Sequence, residues 1–280
     1  MYKLFTLFLL GTLCFLFSCN IIQEKDKSAE VEISKSQFLK AQLNQTFTTE
    51  RETVTKDFAT WYNYTYKNVV LSEDFIGLDT NLDTISKKTF LDRLVNGNVV
   101  ALKTEIVNGQ SVYQLFRLNS KDESIQGTIK QMASTEMEHF EMEGSNIPDF
   151  NFTDLNGKVY DKSFTEGKII VLKCWFINCV ACVKEFPQLN KLVDENQNRN
   201  DLIFLSLAID AKKDLHKFLK HKEFKYAVIP ETENYMTNKL NIKEYPTHLL
   251  IDKNGKILKV VNRIEELTKL LTKKLELNTL

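Results

Sequence analysis

Trp175-Phe176-Ile177-Asn178-Cys179-Val180-Ala181-Cys182-Val183-Lys184-Glu185-Phe186-Pro187 is the stretch whose reading decides the fold. Two cysteines separated by two residues can cycle between dithiol and disulfide. They stand where an apolar strand meets a helix. The strand reads from Lys168 to Phe176, with Ile169-Ile170-Val171-Leu172 at its centre. The helix reads from Val180 to about Glu195, interrupted by Pro187. A thiolate at a helix start faces free backbone N–H groups and the positive end of the helix dipole, which lower the first cysteine's pKa. A proline inside the helical pattern removes a backbone hydrogen bond and predicts a kink.

Outward from this stretch, Tyr245-Pro246-Thr247 opens an apolar strand, Thr247 to Ile251. Asn254-Gly255 then turns into Lys256-Ile257-Leu258-Lys259-Val260-Val261, a hairpin signature. With these motifs the chain resembles the thioredoxin superfamily, and most closely the TlpA/ResA-type membrane-attached thiol–disulfide oxidoreductases of bacterial envelopes. The resemblance runs from about Asn146 to the C-terminus. Pro148-Asp149-Phe150 through Asp154-Leu155-Asn156-Gly157-Lys158-Val159 resembles the N-terminal hairpin that this family adds to the basic fold. The resemblance implies that Cys179 is the attacking cysteine and Cys182 the resolving one. It implies that Pro246 is cis and sits beside them, and that Glu185 is the family's proton-handling carboxylate. It also implies clients that carry disulfides, apocytochrome c among the candidates, and a membrane thiol reductase as electron donor. No cofactor is called for.

Several residues depart from the family pattern or sharpen it. Val180-Ala181 lacks the proline that often precedes the second cysteine. Lys173 stands where thioredoxins carry a buried aspartate and TlpA-like proteins often an asparagine; a cation there favours thiolate, whereas a desolvated lysine is neutral. Trp175 is read as shaping the rim of the site. Tyr245 offers backbone hydrogen bonds to an incoming peptide, with Pro246 and Thr247 completing the substrate-binding loop. His248 is read as a packed or half-exposed histidine.

Charge is balanced, 37 basic against 37 acidic residues in 280. No basic block with interleaved aromatics points to nucleic acid. At the N-terminus Lys3 precedes an apolar run, Leu4 to Phe17. The run is shorter than the ~20 residues of a membrane-spanning helix and fits a signal peptide. Leu16-Phe17-Ser18-Cys19 resembles a bacterial lipobox, which implies cleavage before Cys19 and its lipidation; an ordinary cleaved signal with a soluble product is the alternative. The lipobox reading implies anchoring to a membrane and exposure to the periplasm. In an oxidising compartment a lone C-x-x-C is catalytic rather than part of a disulfide framework.

The organisation expected is a signal peptide over residues 1–18, a flexible tether over 19–36, a small α+β domain over 37–143 and a thioredoxin-like domain over 144–280. The tether is polar and rich in lysine and glutamate. In the α+β domain Phe38 to Phe58 has helical spacing in places. The alternation of Tyr62, Tyr64 and Tyr66 predicts a half-exposed strand. Val99 to Val107, Asn108-Gly109 and Gln110 to Leu118 predict a hairpin, and Asp122 to Glu143 a helix. Further on, Leu202 to Ile209 and Tyr226 to Ile229 read as strands. Asp214 to His221, Asn234 to Leu240 and Arg263 to Leu275 read as helices. The fold class is α/β, a mixed central sheet flanked by helices.

Other chemistries find less support. Cys174-x₄-Cys179-x₂-Cys182 matches the start of an iron–sulfur spacing but lacks a fourth cysteine. Alternation turns Cys174 away from the face of Lys173, as a buried inert thiol. No zinc ligand set is evident. Peroxiredoxins carry Pro-x-x-x-Thr before their cysteine, and residues 174 to 178 read Cys-Trp-Phe-Ile-Asn instead. A disulfide oxidase or isomerase and a non-catalytic client-binding lipoprotein remain as alternatives to a reductase, and a third reading makes the N-terminal domain a dimerisation unit of the kind isomerases use to hold clients.

Overall fold

The computed structural model describes residues 51–119 and 122–276. The signal peptide, Cys19 and the tether lie outside the described residues. The chain divides into two compact units after Tyr64. In the first, Phe58 stacks on Tyr62 with ring centroids 5.7 Å apart. Helix α1, Phe58–Asn68, stands where tyrosine alternation predicts a strand. Burial recurs four residues apart, at Trp61, Thr65 and Val69, while Tyr62 and Tyr66 are exposed. That is the period of a helix, and the tyrosines mark its solvent side.

In the second unit a small sheet takes the order β2-β1-β4-β3. Its strands are β1 (Ile76–Leu78), β2 (Thr84–Ile85), β3 (Val99–Val107) and β4 (Gln110–Arg117). The β3–β4 hairpin turns on Asn108 and Gly109, both with positive φ, the geometry that matches strand twist in a tight hairpin. Helix α2 (Lys87–Val95) is capped by Ser86, which accepts from the Thr89 N–H. Helix α3 (Glu123–Met142) is capped by Asp122, whose side chain accepts from the Ser124 and Ile125 N–H groups. Ion pairs join this region to the C-terminal part of the same unit, among them Lys259 to Glu143 at 2.8 Å and Lys269 to Glu73 at 2.7 Å.

The remainder is built on a mixed α/β sheet. A hairpin, β5 (Asn151–Thr153) with β6 (Val159–Asp161), leads through the short helix α4 (Lys162–Thr165) into the main sheet. That sheet has the order β11-β10-β7-β8-β9. Its strands are β7 (Ile169–Trp175), β8 (Leu202–Ala208), β9 (Ala227–Ile229), β10 (Thr247–Ile251) and β11 (Ile257–Val261). β7, β8 and β9 run parallel, and β10 and β11 are antiparallel. Every residue of β7 is buried, as a central strand covered on both faces requires.

Alternation along β7 sorts the two cores. Ile169, Val171 and Trp175 face one apolar cluster, and Ile170, Leu172 and Cys174 face the other. On the first face lie α5 (Val180–Lys184), α6 (Phe186–Glu195), α7 (Lys212–Leu219) and α8 (Ile264–Glu276). Phe186 stacks on Phe224 at 4.0 Å and meets Trp175 edge-on at 5.0 Å, which holds α6 against the sheet. On the second face the segment Tyr235–Lys239 forms a π-helical turn where the sequence predicts an ordinary short helix.

The helix after the cysteines departs from its expectation. It breaks at Glu185, the C-cap of α5, and Pro187 occupies the first turn of α6. Proline is tolerated there because the first-turn N–H groups have no helical partner. Pro187 therefore begins a second helix instead of kinking one.

Candidate active site

The end of β7 delivers the chain into a short loop whose conformation is fixed by its neighbours. The Ile177 N–H donates to Asp210 Oδ2 at 2.8 Å, and the Cys179 N–H to the Phe176 carbonyl at 3.1 Å. Cys179 then caps α5, and the Cys182 N–H donates to its Sγ at 3.2 Å. The two cysteines are joined as a disulfide. Cys179 is 8 % exposed and Cys182 fully buried, while Val180 between them is 67 % exposed. An incoming sulfur thus meets Cys179 first.

The Tyr245–Pro246 peptide is cis. Thr247 pairs with Cys174 across β10 and β7, so this loop stands at the sheet end from which the cysteine loop departs. Tyr245 and Phe176 touch, with ring centroids 5.5 Å apart. Asn262 fixes the loop from β11's end, donating to the Pro246 carbonyl at 2.8 Å and to Thr247 Oγ1 at 3.0 Å. Thr247 itself is buried and donates to the Glu244 carbonyl at 2.7 Å.

Trp175 requires a correction. It is fully buried in the aromatic cluster under the sheet, not at the rim. Strand alternation turns it inward, and the half-buried Phe176 and Ile177 and the exposed Val180 form the rim instead. Cys174 lies on the opposite face, and burial pushes its thiol up to about 12.

Across the main sheet runs a buried polar row that the sequence only hinted at. Ser206, Lys173 and His248 are in register across β8, β7 and β10, and all three are fully buried. Glu185 reaches this row from the end of α5. Its Oε2 accepts from Lys173 Nζ at 2.5 Å and lies 3.1 Å from His248 Nε2. Its Oε1 accepts the Ile264 N–H at 3.2 Å, at the start of α8. Burial works to raise the Glu185 carboxyl, but the hydrogen bond from His248 and the charge and hydrogen bond of Lys173 outweigh it and hold the group below its usual range. Burial lowers His248, and the Lys173 cation adds to that. Burial also lowers Lys173, against the pull of Glu185. A lysine inside an apolar strand was the available signal; its partner was not readable. Asp210 and Asn262 carried no signal in the sequence.

Among the described residues no group of three or more His, Cys, Asp or Glu side chains is placed to hold a metal ion. The arrangement suits electron-pair exchange between sulfurs, with the Glu185 carboxylate one helical turn beyond Cys182.

The AhpC/TSA family model matches residues 144–260. Thiol-disulfide oxidoreductase ResA of Bacillus subtilis (strain 168) is 30% identical over 119 residues, 42% of this chain and 66% of that protein. ResA of Geobacillus thermodenitrificans (strain NG80-2) is 29% identical over 118 residues, 42% of this chain and 68% of its own length. This part of the chain is a TlpA/ResA-like member of the thioredoxin superfamily. Among solved structures, a putative thiol:disulfide interchange protein DsbE from Chlorobium tepidum is 25% identical and covers 48% of this chain and 96% of its own, with a TM-score of 0.43. The TlpA/ResA-like domain holds the whole dithiol site, and the protein is a thiol–disulfide oxidoreductase.

Proposed function

We propose that the protein reduces disulfides of client proteins in the bacterial cell envelope, tethered to a membrane through Cys19. The observation that carries this reading is the unequal burial of the two bonded cysteines, Cys179 at the opening and Cys182 beneath it. In the reduced protein the Cys179 thiolate attacks a client cystine and forms a mixed disulfide. Cys182, losing its proton to Glu185, then attacks Cys179 and releases the client thiol. Phe176, Val180 and Tyr245 give the client an apolar rim, and the backbone beside Pro246 offers it strand-like hydrogen bonds.

The oxidised protein then needs electrons, and a membrane thiol reductase is the class of donor that supplies them. Apocytochrome c is one client class that fits. The anchor rests on Leu16-Phe17-Ser18-Cys19. Among the described residues no helix is long and apolar enough to cross a membrane. The test of direction is equilibration with glutathione redox buffers. A reductase settles nearer thioredoxin, at about −270 mV, than the strongly oxidising end at about −120 mV. A value at the oxidising end overturns the reductase reading in favour of an oxidase or isomerase. Metabolic labelling with a radioactive fatty acid checks the anchor; label retained in Cys19→Ala counts against it.

A further inference from the structure

We propose that Lys173 and His248 are positioning residues for thiol–disulfide exchange: together they hold Glu185 as a fixed anion and set how readily it takes the proton of Cys182. This rests on reading Cys182 as the resolving thiol.

The geometry is specific. Lys173 and His248 are directly opposite one another on β7 and β10, with side chains on the same face. Both converge on a single oxygen, Glu185 Oε2, and neither is open to solvent. The other oxygen is engaged by the Ile264 N–H. Three donors from three elements thus fix the carboxylate, and the residue bearing it lies one helical turn beyond Cys182. His248 Nδ1 is buried and has no hydrogen-bond partner among the described residues. An imidazolium there would leave an N–H bare, so the ring is neutral, with Nε2–H donating to Glu185. Lys173 then supplies the positive charge. Other groups within electrostatic reach are the buried Tyr226 hydroxyl toward Glu185, Glu265 of α8 toward His248, and Cys174 toward Lys173. None of them is an alternative cation.

The step balances. The Cys182 thiol gives its proton to Glu185. The Cys182 thiolate forms the Cys179–Cys182 bond as the Cys179–client bond breaks. The client sulfur leaves with the electron pair and is protonated by water. The pair is oxidised by two electrons and the client reduced by two, and Glu185 returns its proton to solvent. A carboxylate stabilised by a cation and a donor ionises at lower pH, so it stays ready to accept a proton across the neutral range.

The experiment is single-turnover release of client thiol from a mixed disulfide of the mature protein, followed across pH. Loss of peptide-disulfide reduction in Cys179→Ser, measured first, supports the reaction itself. Lys173→Met is then expected to move the acid limb upward by at least about one pH unit, a tenfold loss of rate on that limb. His248→Leu moves it the same way, and His248→Gln, which keeps a donor toward the carboxylate, restores most of the shift. A residue that merely supports the fold would lower the rate without moving the limb. Glu185 in the unaltered protein gives a reading that needs no variant: its carboxyl carbon, followed by NMR, should titrate below an ordinary glutamate. Limbs of folded Lys173→Met and His248→Leu that superimpose on the native curve overturn the roles of these residues and leave the reaction standing, as does a Glu185 midpoint at or above the ordinary value. Equal activity of Cys179→Ser and the native protein overturns the reaction and the proposal with it.

Discussion

Cys179 and Cys182 differ in one respect that chemistry can use: one sulfur lies at an opening and the other is enclosed. Cys182→Ser is therefore expected to accumulate a mixed disulfide through Cys179, visible as a reducible band shift on a non-reducing gel. Cys179→Ser should trap nothing. The buried Lys173–Glu185 pair makes a second demand on single residues. Desolvation makes such a pair a weak source of net stability, yet removing one partner strands the other. Lys173→Met should lower unfolding free energy by about 3–5 kcal/mol in a urea titration. Adding Glu185→Gln to it should recover a large part of that loss, since no bare charge then remains; failure to recover any would mean that packing, not charge, sets the cost. The motif cysteines were legible in the sequence because their spacing at a strand–helix junction is local chemistry, and the reading of Pro246 came with the family resemblance. The partners of Lys173 were not legible, because they come from a helix end and a strand far along the chain.

Elements show where local patterns suffice. The β3–β4 hairpin and both its strands follow from alternation and Asn108-Gly109, which needs no distant contact. The tyrosine alternation misled because three residues with period two also lie on a helix of period 3.6, and burial at Trp61 and Thr65 decides between them. Pro187 misled for a related reason: its effect depends on whether it lies inside a helix or in its first turn. Since it opens α6, Pro187→Ala should change stability by less than about 1 kcal/mol in either direction, against about 3 kcal/mol for a proline in a helix interior. A large stabilisation on replacement would show that the proline strains a continuous helix. Gly77 is the opposite case. A Cβ there would stand 2.9 Å from the Phe90 ring, so Gly77→Ala should destabilise by about 1–3 kcal/mol as β1 and α2 are forced apart.

For the molecule as a whole, α3 carries one half-buried and one buried group, Glu136 and His139, whose titration opposes one another. Glu136 keeps a partial opening to solvent, but its carboxyl is packed near Glu266, Lys87, Glu143 and Lys259, and burial with the Glu266 charge pushes it up to about 8. The folded state then binds a proton that the unfolded chain releases from about pH 4.5, so stability from this group falls as pH rises toward 8. Burial lowers His139 to about 4, against an ordinary value of 6.5. There the unfolded chain binds the extra proton, so stability falls as pH drops from 6.5 toward 4. The two slopes offset one another in mild acid, and between about 6.5 and 8 the slope of Glu136 is no longer offset by His139. Unfolding free energy should decline across that interval by less than the single-proton limit of about 1.4 kcal/mol per pH unit, given the opening to solvent. Glu136→Gln should flatten the decline, as read by denaturant titrations at a series of pH values; an unchanged slope would assign the decline to another group.

The sequence by itself determined the alternation of strands and helices from residue 144 onward and the dithiol at a helix start; the place of the Pro246 loop beside it came only as what the family resemblance implies. The alternation and the dithiol depend on short-range periodicity and on residue types whose chemistry travels with them. Only the tertiary structure decided that Trp175 lies in the core, that Pro187 begins a helix, and that Lys173 and His248 share one carboxylate. Each of these is settled by which strands pair and in what register, and register is fixed by the burial of whole faces rather than by any neighbouring residue.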